Sequence, residues 1–137
     1  MSPESSTEKQ GPLNRVHLIS TGPAHNVEAE AVWIGGDLLV YIYGGDAPHL
    51  GAVAAATPRP SLRDPDEKSA TASVLTYVGH KEDDLAKKAA EALAAALNTR
   101  VVVTAGIHWD HLDPVAIDQV IDNGRRLIAA LIDRLKK

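Results

Sequence analysis

Paired glycines and alternating apolar residues commit the first half of this chain to a sheet. Residues 27–34 alternate, with Val27, Ala29, Ala31 and Trp33 on one side and Glu28 and Glu30 on the other. A period of two turns one face of a strand to a core and the other to water. Gly35-Gly36-Asp37 is then a tight hairpin signal. Residues 38–43 follow, with Leu38, Val40 and Ile42 on one face and Leu39, Tyr41 and Tyr43 on the other.

The remaining elements follow from the same signals. Residues 13–19 form an apolar extended run that Thr21-Gly22-Pro23 ends, and Gly44-Gly45-Asp46-Ala47-Pro48 turns the chain after the third strand. Residues 51–57 and 71–78 read as strands four and five. Between them lie Pro58, Pro60 and Pro65 in a segment of residues 58–68, where proline opposes regular pairing and stiffens the backbone. A helix is expected over 83–97, from Leu85, Ala89, Leu93 and Leu97, with Asn98 as its left-handed cap. Residues 100–107 (RVVVTAGI) are the most hydrophobic strand and so a central one. Asp113 caps a second helix whose first residue is Pro114. The fold expected is α/β (α+β), a mainly antiparallel sheet of about six strands with two helices. Strands one to five form a meander, and the first helix crosses over to a parallel sixth strand.

The second helix carries Ile117, Val120, Ile121, Leu127, Ile128, Leu131, Ile132 and Leu135, a stripe too wide for one contact surface. Gly124 in its middle costs about 1 kcal/mol relative to alanine. Both features favour a homodimer in which another backbone packs at Gly124.

At 137 residues and 45 % apolar content the chain supports one domain, expected over 12–137. Residues 1–11, MSPESSTEKQG, are polar, lack the apolar stretch of a secretory signal and are expected to be a disordered tail. A net charge of −4 argues against a general nucleic-acid binder. The absence of cysteine removes disulfide and thiolate chemistry and suits the cytoplasm. There is no phenylalanine, so alanine and branched aliphatics fill the core. Packing of that kind leaves little room for a deep apolar cavity, and a binding site is expected in a surface cleft or at a subunit interface.

Of the six histidines, all but His17 fall at strand ends. In the meander His25, His49, His80, His108 and His111 collect at one end of the sheet, with the Arg59–Arg63 loop at the other. Gly79-His80-Lys81-Glu82-Asp83 leads from a strand into a helix, where backbone N–H groups, His80 and Lys81 offer an anion site. The competing reading is an ordinary capped helix with a solvated lysine. Arg59, Ser61 and Arg63 offer two guanidinium forks and a hydroxyl on a proline-stiffened loop, matched to phosphate oxygens. They serve equally to pair with Asp64, Asp66 or Glu67. His108-Trp109-Asp110-His111 has the spacing of a metal half-site; nothing nearby specifies the remaining ligands, for which Asp110, His25 and His49 are available. His49 is a turn residue that can touch a ligand, and Trp109 can stack on a flat ring or act as a core lid. No nucleophile signature and no dinucleotide fingerprint is present, so no catalytic residue is assigned.

Three segments, GGDAPHLGAVAAATPRPSLRD, SVLTYVGHKEDDLAKKAAEAL and RVVVTAGIHWD, resemble the small D subunit associated with gallate- and vanillate-type hydroxybenzoate decarboxylases, the prenylated-flavin chaperone family. The likeness runs from about Leu13 to the C-terminal helix. It is most specific at Pro58–Leu62, Gly79–Asp83 and Thr104–His108. The resemblance implies a dimeric fold similar to eukaryotic proteasome assembly chaperones. It further implies a non-enzymatic carrier that binds reduced prenylated FMN and delivers it to an apo decarboxylase, where the cofactor matures oxidatively. On the chemistry of the residues, and not carried over from the family, Arg59, Arg63, His80 and Lys81 are the candidates for the phosphate and Tyr41, Tyr43 and Trp109 for the ring, with Ser61, His49 and His108 as further candidate cofactor contacts. Two other readings remain: a metal-assisted enzyme or decarboxylase subunit using His108 and His111, and an assembly factor with no small ligand.

Overall fold

The computed structural model describes residues 15–77 and 83–136. The expected tail, the first residues of strand one and the Gly79-His80-Lys81 turn lie outside the described residues. The elements are β1 (Arg15–Ile19), β2 (Glu28–Ile34), β3 (Asp37–Gly45), β4 (Ala52–Pro60), β5 (Lys68–Thr76), α1 (Asp83–Leu97), β6 (Val101–His108) and α2 (Pro114–Leu135). They build one six-stranded sheet in the order β1-β2-β3-β6-β4-β5, parallel only between β3 and β6. The expected α/β architecture, a mainly antiparallel six-stranded sheet with two helices, is present, but the five-strand meander is not.

β6 stands between β3 and β4, which would be neighbours in a meander. The connection after Gly45 does not fold back as a hairpin. It steps across the end of β6, where the Ala47, His49 and Gly51 N–H groups donate to the carbonyls of His108 (3.2 Å), Gly106 (3.4 Å) and Ala105 (3.0 Å). This crossing requires glycine. A Cβ on Gly106 would collide with the His49 carbonyl, and one on Gly45 (φ +93°) with that of His108. The turn residues after β3 thus mark close backbone approach rather than a tight hairpin.

The prolines also behave differently from expectation. Pro58 and Pro60 lie inside β4, paired with Ala70 and Lys68. Ser61 N–H donates to Glu67 C=O at 2.8 Å. By the alternation of an antiparallel ladder, the nitrogens of Pro58 and Pro60 therefore point to the opposite side of β4. There β6 has already ended, its last partner on β4 being Ala56. No ladder bond is lost, which is where proline is tolerated in a sheet.

One sheet face is buried under both helices. It presents Ala29, Ala31, Leu38, Val40, Ile42, Ala52, Ala54, Ala56, Val101, Val103 and Ala105. Small side chains let α1 sit close through Ala86, Ala89, Ala90, Leu93 and Ala94, while α2 inserts Leu127 and Leu131. The Asp113 carboxylate accepts the Ala116 N–H at 2.8 Å and Pro114 occupies the first turn, as the cap pattern predicts. Asn98 closes α1 at φ +51°. Gly124 is buried, and a Cβ there would lie 3.3 Å from the Leu85 Cδ1 of α1. The close approach that Gly124 permits is therefore to a helix of the same chain, so this glycine is no argument for a second copy.

A polar clamp fixes the β1–β2 loop onto α2. Asn123, 3 % exposed, donates both amide hydrogens, to the carbonyls of Ala24 and His25, each at 2.8 Å. Asn26 accepts from Ser20 Oγ and Gly22 N–H, each at 2.8 Å. Asn123→Ala would strand two loop carbonyls at once and should destabilise the protein by about 2–3 kcal/mol in urea unfolding. Gly124→Ala has the opposite sign. The helix gains about 1 kcal/mol of propensity, and only the tip of Leu85, a flexible side chain beside an open cavity, has to give way. Its thermal midpoint should rise by a few degrees.

Candidate functional site

The sheet order brings the C-terminal ends of β1, β3, β5 and β6 to one end, as expected. The loop histidines gathered there hold loops. His25, in left-handed backbone (φ +57°), donates from Nδ1 to Gln119 Oε1 at 2.7 Å. It also meets Trp109 edge-on at 5.2 Å between ring centroids. His49 donates from Nδ1 to the Ala47 carbonyl at 3.1 Å. His108 donates from Nε2 to Asp110 at 3.0 Å, and the Asp110 N–H donates to Asp46 at 3.2 Å. His111 is exposed, at φ +59°. Among the described residues no three His, Asp or Glu side chains converge to hold a metal ion. Trp109 is half-buried against the core, in the role of a lid.

Arg59, Ser61 and Arg63 stand at the opposite end of β4, about 25–30 Å away at ~3.3 Å per residue. Arg59 donates to Thr71 Oγ1 at 2.7 Å and to the Pro60 carbonyl at 3.1 Å. Ser61 Oγ accepts the Arg63 N–H at 3.2 Å, bracing the turn. Within one chain these three residues do not join His49, His108 and Trp109. His80 and Lys81 lie outside the described residues. Tyr41 and Tyr43 project from the uncovered sheet face, where the Tyr43 hydroxyl donates to Glu30 at 2.7 Å. That bond and burial push the phenol pKa well above its ordinary value, so Tyr43 stays neutral.

A cavity of about 370 Å³ opens along the seam between α1 and α2, on the same end of the molecule as the histidine loops. Leu85 of α1, Val120, Ile121 and Ile128 of α2, Ile107 of β6 and Leu112 of the following loop form its apolar wall. Asp84, Lys88 and Arg125 complete the lining. Against the expectation of little room for an apolar cavity, space opens between the helices, whereas α1 packs its alanines on the sheet. Above Ile107 the helices approach closely at Leu85 and Gly124, and the cavity opens beside this contact.

The cavity accounts for the excessive width of the α2 stripe. Leu127 and Leu131 face the core, whereas Val120, Ile121 and Ile128 border the cavity, and Ile121 remains 52 % exposed. Arg125 was legible as the one charge interrupting the row 121, 125, 128 at i, i+4, i+7 spacing. Nothing in the sequence had marked it as more than a solvated residue. Asn123 carried a similar signal, a polar residue beside Gly124 and Leu127 on the core side.

The prenylated flavin chaperone LpdD-like domain matches residues 21–136 of this chain. No curated protein sequence matches it. Among solved structures, the fold is similar to a chain from a chaperone complex for yeast 20S proteasome assembly. The identity is 15 %, the TM-score 0.56, and the match covers 89 % of this chain and 94 % of the other. That likeness concerns the fold alone. The match over residues 21–136 assigns function at the level of a chaperone, an accessory protein rather than an enzyme, and this chain belongs to the prenylated flavin chaperone LpdD-like family.

Proposed function

We propose that this chain is a cytoplasmic homodimer that binds reduced prenylated FMN and delivers it to an apo decarboxylase acting on hydroxyarylic acids. Membership of the prenylated flavin chaperone family carries this reading. The seam cavity supports it, since about 370 Å³ falls within the usual range of small-molecule sites. A carrier must also release its cargo, so a partly open apolar site with few polar anchors suits the task better than a closed one. Cofactor maturation and decarboxylation belong to the receiving enzyme. Among the described residues no helix is long and apolar enough to cross a membrane.

His49, His108 and Trp109, with His80 and Lys81 from the sequence, are the proposed contacts at the histidine-loop end. Arg59, Ser61 and Arg63 join them only if a second copy supplies the hairpin. The second copy covers the sheet face that the helices leave open. Val102 (37 % exposed) and Leu75 (72 % exposed) lie on that face, with Leu39, Val53 and Ala55 half-covered or open beside them. An apolar row across the middle of a sheet calls for a second layer.

Anaerobic titration with reduced prenylated FMN should give saturable binding, and reduced FMN should bind far more weakly. Incubating the loaded protein with an apo decarboxylase should then restore decarboxylation. Equal binding of both flavins, or none, rejects the carrier reading. Val102→Glu should convert a dimer into a monomer in light scattering, and an unchanged mass would move the interface elsewhere.

A further inference from the structure

We infer that the α1–α2 seam is the flavin site itself, with the ring system in the apolar cavity and the phosphate held at its mouth by Arg125. This rests on the carrier reading above and adds a location and an anchoring residue to it. Three observations converge. The cavity wall is almost wholly aliphatic, formed by Leu85, Ile107, Leu112, Val120, Ile121 and Ile128. Such a surface suits a flat ring bearing an isoprenoid extension and offers little to a sugar or a peptide backbone.

The charges around the mouth are not equivalent. Lys88 is paired with Asp84 at 3.1 Å, and Arg126, just outside the cavity, with Asp122 at 3.0 Å. Arg125 makes no ion pair or hydrogen bond through its guanidinium among the described residues, although it lines the cavity. A guanidinium is suited to two-pronged contact with phosphate oxygens. Asp84 would repel a phosphate, but Lys88 already offsets its charge.

The third observation is Ile121. It is 52 % exposed in the middle of a long helix and borders the cavity on the same side as Arg125. A ring lying in the seam would remove this surface from water, a gain proportional to the apolar area covered. Ring burial and phosphate capture thus fall one helical turn apart on the same helix.

The test compares wild type, Arg125→Gln and Ile121→Trp in anaerobic titrations with reduced prenylated FMN and with its dephosphorylated riboflavin analogue. Thermal melts check that each variant folds. Ile121→Trp, which narrows the mouth, should weaken both ligands. Arg125→Gln should weaken the phosphorylated ligand by about tenfold or more, as expected for a charge-assisted contact, and leave the analogue unaffected. If wild type binds and neither variant changes affinity, the seam is not the site, although the carrier reading stands. The same follows if Arg59→Gln reproduces the phosphate-specific loss and Arg125→Gln does not. If wild type binds neither ligand, the carrier reading fails and the seam assignment with it.

Discussion

Everything at the functional end of this protein depends on where β6 inserts. Val101, Val103 and Ala105 are buried from the helix side, and the strand bonds to β3 in parallel and to β4 in antiparallel fashion. A strand with two partners forms its full ladder only inside a sheet, so the preceding chain must open to admit it. That opening separates β3 from β4 and sends the β3–β4 connection over the end of β6. It also directs both helices onto one face, since α1 must return from β5 to the middle of the sheet and α2 must leave it toward β1. The seam between the helices therefore lies over the end of β6, with Ile107 bordering the cavity.

Local signals in the sequence were reliable where a residue acts through its immediate neighbours. The alternation in β2 and β3, the Asp113-Pro114 start of α2 and the left-handed Asn98 after α1 are all present as read. The centrality of the RVVVTAGI strand was also legible, because only a strand flanked on both sides tolerates so few polar residues. Its insertion between β3 and β4 was not legible. Gly44-Gly45-Asp46-Ala47-Pro48 reads the same whether the chain turns back or steps over a neighbour. The deciding fact, the passage of the His49 backbone over Gly106, joins residues far apart in sequence. Pro58 and Pro60 misled for a related reason, because their tolerance depends on where β6 stops.

The histidines show how position and role separate. Topology gathers those of the described loops as the strand ends suggested, yet His25, His49 and His108 each direct a ring N–H to an oxygen that steadies a loop. Such rings act as struts for the loops at this end of the sheet. The features better suited to a ligand lie on helices, in residues that composition and spacing present as ordinary: an aliphatic row with one arginine in it. A chaperone performs no bond-making step, so no strained nucleophile or strongly displaced carboxylate advertises its site. That leaves shape, which sequence encodes only through packing.

The contact between Leu85 and Gly124 has a mechanical consequence. One side of this contact is bare backbone, so at this point α1 meets α2 with no side chain of residue 124 between them. A Cβ there would sit 3.3 Å from Leu85, so the glycine sets how near the two helices come, while the Asn123 amide ties α2 to the β1–β2 loop. The capacity of the adjoining space is then governed by helix spacing rather than by any single rotamer.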